Sequence, residues 1–127
     1  MRSLNSKVSN PLSWSFNAVS LSFSLSLSLD NNPSYILQIN GIQTLIYAMR
    51  TFLRSDDIQY NATYCLNLLS QFRDDNVYEQ MIRSNIVEMT IKVFSTYKDD
   101  QDIQRNIFSF INNIIFYGIL SLASLIS

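Results

Sequence analysis

The sequence predicts an all-α fold, and three observations carry that expectation. Two glycines and two prolines in 127 residues are too few for an all-β chain, which places Gly, Asn and Pro at each hairpin reversal. Apolar residues recur at three- and four-residue spacing, as in Ile58, Ala62, Cys65, Leu66 and Leu69, which is the stripe of an amphipathic helix. The chain also resembles itself at an offset of 44 to 45 residues, and self-similarity at a fixed period is the mark of a repeat architecture.

The repeat is read from two pairs of segments. "INGIQTLIYAM" near residue 40 returns as "RSNIVEMTIKV" near residue 84, with Ile42 over Ile86, Leu45 over Met89 and Met49 over Val93, an offset of 44. Past one inserted residue, "DIQYNATYCLNLL" (57 to 69) returns as "DIQRNIFSFINNI" (102 to 114), with Asp, Ile, Gln and both Asn in place, an offset of 45.

The first element is the least regular. "SLSFSLSLSL", residues 20 to 29, alternates serine with apolar residues, which taken alone is the period of a strand. Running the register back by 44 lays residues 16 to 30 on residues 60 to 74, so that Phe16 meets Tyr60, Asn17 meets Asn61, Ala18 meets Ala62 and Asp30 meets Asp74. The tract thus fills a helical slot, and a dinucleotide run in the gene accounts for its alternation. Serine is a middling helix former, so a weak helix is expected there.

Helices are expected near 11 to 28, 33 to 39, 42 to 54, 58 to 72, 77 to 83, 86 to 97 and 102 to 117. Asn32 followed by Pro33 fits an N-cap with proline at the first helical position. Asp57 and Asp102 precede two long helices and are expected to cap them. The layout is an N-terminal tail (1 to 10), a repeat domain (11 to 117) and an apolar C-terminal tail (118 to 127). Within the domain, residues 11 to 30 are the third helix of a partial repeat, and 31 to 74 and 75 to 117 are full repeats of one short and two longer helices.

The segments "NGIQTLIYAM" and "DIQYNATYCLNLLSQFRDDN" resemble the second and third helices of the armadillo family: Gly-Ile-x-x-Leu, then Ile-Gln, then Ala-x-x-x-Leu-x-x-Leu, then Asn. The resemblance covers residues 11 to about 115. HEAT repeats, the nearby alternative, usually lack a separate short first helix. Asn85 stands where the family often has glycine. The resemblance implies an armadillo-like right-handed α-solenoid of stacked three-helix repeats, whose third helices line a concave groove that binds extended peptides or partner proteins. Mapped onto this chain, the groove residues are Tyr60, Tyr64, Asn67, Gln71, Arg105, Ser109 and Asn113. For Tyr60 and Tyr64 a second reading stays open, packing against the next repeat. Members that grip basic nuclear-import peptides carry Trp and Asn four apart on each third helix. The matching pairs here, Ser20 with Ser24, Tyr64 with Leu68 and Ser109 with Asn113, largely lack them, which argues against that use.

Chemistry is expected to be absent. With no histidine in the chain, the usual general base and the commonest metal ligand are missing. There is no phosphate-cradling glycine loop. The acidic clusters at Asp56 and Asp57, Asp74 and Asp75, and Asp99, Asp100 and Asp102 fall at helix ends and read as caps and solvated turns. Cys65, the one cysteine, lies on the apolar stripe and fits a small buried thiol in a reducing compartment. No cofactor and no metal are expected. Nine basic and ten acidic residues nearly balance, so no field calls for nucleic acid. The expectation is a non-enzymatic scaffold in the cytoplasm or nucleus that binds a protein or extended peptide.

The ends leave alternatives open. Val8 to Leu29 and Asn106 to Ser127 carry no charge. The second run is long enough to cross a bilayer, but two of its asparagines and its serines weaken that reading, and its first half matches a repeat helix. The serines of the first run and the lack of a small-residue cleavage site weaken a signal peptide. A solenoid needs polar capping repeats, and neither end supplies one, so a fragment of a longer array and self-association through apolar ends are further readings.

Overall fold

The computed structural model describes residues 34 to 126, and they are all helix and turn. The elements are α1 (Ser34–Gln38), α2 (Gly41–Thr51), α3 (Asp56–Ser70), α4 (Asp75–Arg83), α5 (Ile86–Thr96) and α6 (Gln101–Ile126). The Ser-Leu tract, the expected helix at 11 to 28, the partial repeat and the Asn32-Pro33 cap lie outside the described residues.

The elements fall into two like units, α1–α3 and α4–α6. Second helix packs on second helix (α2 on α5) and third on third (α3 on α6), the latter being the most extensive contact. One core runs through both units. Ile42, Leu45 and Met49 of α2 join Ile58, Ala62, Cys65, Leu66 and Leu69 of α3, Val77 and Met81 of α4, Ile86 and Val93 of α5, and Ile103, Ile107 and Phe110 of α6. Each large apolar side chain so buried is worth roughly 1.5 to 3 kcal/mol relative to exposure, far more than the helix propensities in play.

The turns show a uniform register. Asn40 before α2 and Asn85 before α5 both adopt the left-handed conformation, with φ of 55° and 63°. Phe52 and Tyr97 close α2 and α5 with nearly the same dihedrals, each backbone N–H donating to the carbonyl four residues back, Ala48 and Val93. All these pairs are 45 apart, as are the starts of α2 and α5. The backbone therefore corrects the expected second-helix pairing of Ile42 with Ile86: the offset is already 45 there, and no residue is inserted between the second and third helices. The apolar pattern suggests the pairing of Ile42 with Ile86, but at offset 45 the buried Gly41, Leu45 and Ala48 of α2 stand at the positions of the buried Ile86, Thr90 and Val93 of α5.

Two further expectations are corrected. Ser55, not Asp57, caps α3, its Oγ accepting from the Ile58 N–H at 3.5 Å, and Asp100, not Asp102, accepts from the Ile103 N–H at 3.1 Å. Asp57 and Asp102 sit in the first turns instead, where their charge still favours the helix dipole. The residues expected as a C-terminal tail continue α6 to Ile126. Gly118 does not stop the helix: a Cβ there would lie 3.0 Å from the Tyr78 Oη, so the glycine makes room for Tyr78, whose ring stacks on Tyr117 with centroids 4.3 Å apart.

Candidate protein-binding face on the third helices

The candidate face starts from helix periodicity. Tyr60, Tyr64 and Asn67 of α3 and Gln71, its C-cap, are spaced by three or four residues and so share one side, away from Ile58, Ala62, Cys65 and Leu69. Tyr60, Tyr64 and Asn67 are half-buried and Gln71 is exposed. The Tyr60 and Tyr64 rings stack with centroids 6.2 Å apart, making a two-ring platform on the helix. Gln71 Nε2 donates to Asn67 Oδ1 at 3.4 Å, which presets one amide against the other.

On α6 the register brings Arg105 and Ser109 to the positions of Tyr60 and Tyr64. Arg105 is exposed and pairs with Asp102 at 3.6 Å; both side chains are more than half in solvent, and a pair of that kind contributes little to stability. Its guanidinium therefore stays open to a carboxylate or an aromatic ring. Asn113 has a different use. Its Nδ2 donates to Ser70 Oγ at 2.9 Å, tying α6 to the end of α3. Deeper in the same contact, the buried Asn106 donates from Nδ2 to Thr63 Oγ1 at 3.3 Å and to the Tyr60 carbonyl at 3.4 Å. These two asparagines are polar struts between α6 and α3.

Sequence reasoning missed one member. Phe116, 45 residues after Gln71, is exposed on the same side of α6, and the Arg73 guanidinium lies over its ring at 4.8 Å from the centroid. Carrying the uniform offset to Gln71 would have found it. The face thus joins tyrosine, asparagine, glutamine and arginine on two neighbouring helices, and tyrosine and arginine are residue types enriched at protein interfaces.

Among the described residues no three His, Cys, Asp or Glu side chains group as a metal would need. Cys65 is fully buried, and Asn61 and Thr63 of the Asn-Ala-Thr glycosylation pattern are buried as well, so a glycan has no access to them. Over the described residues, the fold and the face define an all-α arrangement of two like three-helix units with a polar and aromatic side along its third helices. Comparison with protein-family models, with curated proteins and with solved structures finds no match.

Proposed function

We propose that the chain is a non-enzymatic interaction scaffold, an armadillo-type α-solenoid that holds a protein or extended peptide along the face of its third helices. The observation that supports this reading is the alignment of Tyr60 and Tyr64 on α3 with Arg105 and Ser109 on α6 at equivalent positions of the two units. Tyr64 and Arg105 lie outside the core, against which Tyr60 partly packs. Two stacked tyrosines supply flat apolar area at low entropic cost, and Arg105 and the Asn67–Gln71 amides supply donors for a backbone or an acidic side chain. Binding through such a face needs no catalytic cleft. Cytoplasm or nucleus is the proposed location, in keeping with a single buried thiol.

The test is a display of random extended peptides against the purified chain, with the selected peptides titrated into single variants. Tyr64→Ala and Arg105→Glu each weaken binding at least tenfold while leaving the urea midpoint near that of the parent. Peptides that bind equally well to both variants would place recognition elsewhere and end this reading.

A further inference from the structure

We infer that α6 is also a dimerisation helix: two copies of the chain pair their α6 helices antiparallel along an apolar seam that the fold leaves bare. The seam consists of Phe108, Ile111, Ile115, Ile119, Leu122 and Ile126. Steps of three or four residues put all of them on one side of the helix. Ile111 is half-buried, and the other five are 54 to 89% exposed.

The preceding unit shows what such a side is built to receive. Thr63, Leu66 and Ser70, 45 residues before Phe108, Ile111 and Ile115, are 1%, 0% and 8% exposed. There α6 covers them, through the Asn106 to Thr63 and Asn113 to Ser70 hydrogen bonds. Likewise Ile46 is buried where its counterpart Ile91 is 56% exposed. Ile91, Phe94, Ile107, Phe108 and Ile111 line an open hollow of about 190 Å³ between α5 and α6. A helix is what this side takes.

Length selects the helix. A third helix like α3, 15 residues long, ends at the counterpart of Ile115 and would leave Ile119, Leu122 and Ile126 in water. Among the described residues, only α6, with 26 residues, reaches along the whole seam. The inner side of α6 is spent in its own core as far as Ile114, and beyond it no residue of α6 is buried. Ile119, Leu122 and Ile126 are the exposed apolar residues that continue the line of Phe108, Ile111 and Ile115, so the seam of a second copy is what meets the first. The seam is close to symmetric about Tyr117. An antiparallel partner therefore sets Phe108 against Ile126, Ile111 against Leu122 and Ile115 against Ile119, the self-complementary contact that a two-fold axis requires. Residues 106 to 126 carry no charged side chain, so a seam along this part of α6 brings none of α6's charged side chains under cover. The candidate partner-binding face lies roughly a quarter turn around α6 from the seam, and a dimer would present it twice. The inference does not rest on that face binding anything.

The test is sedimentation equilibrium of the full chain in detergent-free buffer. The expected mass is twice the 14.7 kDa of the chain. Ile115→Asp and Leu122→Asp each raise the dimer dissociation constant at least tenfold with the helical circular dichroism unchanged, since both side chains are exposed. Leu120→Asp, off the seam, leaves the dimer intact. A F108C/I126C double variant, oxidised, cross-links 108 of one copy to 126 of the other. A monomer, an open-ended aggregate, a dimer indifferent to both Asp variants, or 108-to-108 cross-links would overturn the inference. So would transfer of the chain from the dimer to phosphatidylcholine vesicles that Leu120→Asp abolishes as fully as Leu122→Asp, which would give this end of α6 to lipid.

Discussion

The Tyr97 hydroxyl donates to the Leu53 carbonyl at 2.6 Å, across 44 residues of chain. It joins the turn that ends α5 to the turn that ends α2, so the two units are held by a hydrogen bond between these turns as well as by the core. Tyr97→Phe keeps the ring and removes only the hydroxyl. The expected loss is about 1 kcal/mol, the net worth of one intramolecular hydrogen bond, read as a lower urea midpoint with an unchanged slope.

Gln59 and Gln104 form a deeper pair of braces. Gln59 Nε2 donates to the Met49 and Phe52 carbonyls at 3.1 and 2.8 Å, and Gln104 Nε2 donates to the Phe94 and Tyr97 carbonyls at 3.2 Å each. Each glutamine thus satisfies the carbonyls left open where the second helix of its unit ends. Gln59 is fully buried and Gln104 half-buried. Gln59→Leu is therefore expected to cost about 1 kcal/mol, since the Met49 and Phe52 carbonyls lose their donor while the buried Gln59 Oε1, which has no hydrogen-bond partner, is removed with it, and Gln104→Leu less than that. Equal losses in urea titration would show that burial does not set the penalty.

These glutamines also mark what was legible in the sequence. Their identity at a fixed offset shows that residues 57 to 69 and 102 to 114 are one element twice, and the stripe from Ile58 to Leu69 shows that the element is a helix. The caps were not legible, because Ser55, Asp56 and Asp57, like Asp99, Asp100 and Asp102, are all competent N-caps, and backbone geometry chooses among them. The end of α6 was not legible either, since a glycine marks a helix end or a close approach with equal ease, and Tyr78 is 40 residues from Gly118. On the candidate face, periodicity alone placed Tyr60, Tyr64, Asn67 and Gln71. The strut role of Asn113 depends on Ser70, which only the packing of α6 on α3 brings near.

Gly118 is a test of that packing. In an open helix, glycine to alanine gains about 1 kcal/mol. Here the new Cβ would meet the Tyr78 Oη at 3.0 Å, and Tyr78 is held by its stack on Tyr117. Gly118→Ala is expected to gain nothing or to destabilise, whereas the same change in a Tyr78→Phe background recovers most of the propensity gain. A double-mutant cycle on thermal midpoints reads the difference as coupling between the two positions. Additive effects would mean that the hydroxyl does not limit the helix.

Asn113→Ala separates a strut from a contact residue. The change breaks the bond to Ser70 Oγ at 2.9 Å and is expected to cost about 1 kcal/mol. Ser70→Ala also removes the Ser70 Oγ donation to the Asn67 carbonyl at 2.8 Å and should cost somewhat more, and the double variant should cost no more than Ser70→Ala alone, because the bond to Asn113 is already lost there. Tyr64→Ala, on the open side of α3, should fall outside that coupling. Additive losses at Asn113 and Ser70 would return Asn113 to the list of residues free to meet a partner.

Asn40 and Asn85 hold the left-handed conformation that begins each second helix, at φ of 55° and 63°. Asparagine tolerates that region better than other residues with a Cβ, and glycine better still. Neither side chain caps its helix, so the backbone conformation is what selects the residue. Asn85→Ala is therefore expected to destabilise by about 1 kcal/mol and Asn85→Gly to be neutral or slightly stabilising, with the same order at Asn40. Urea titrations of the four variants decide it: if alanine matches glycine at both sites, the left-handed turn is not what fixes the start of α2 and α5, and the 45-residue register loses one of its backbone supports.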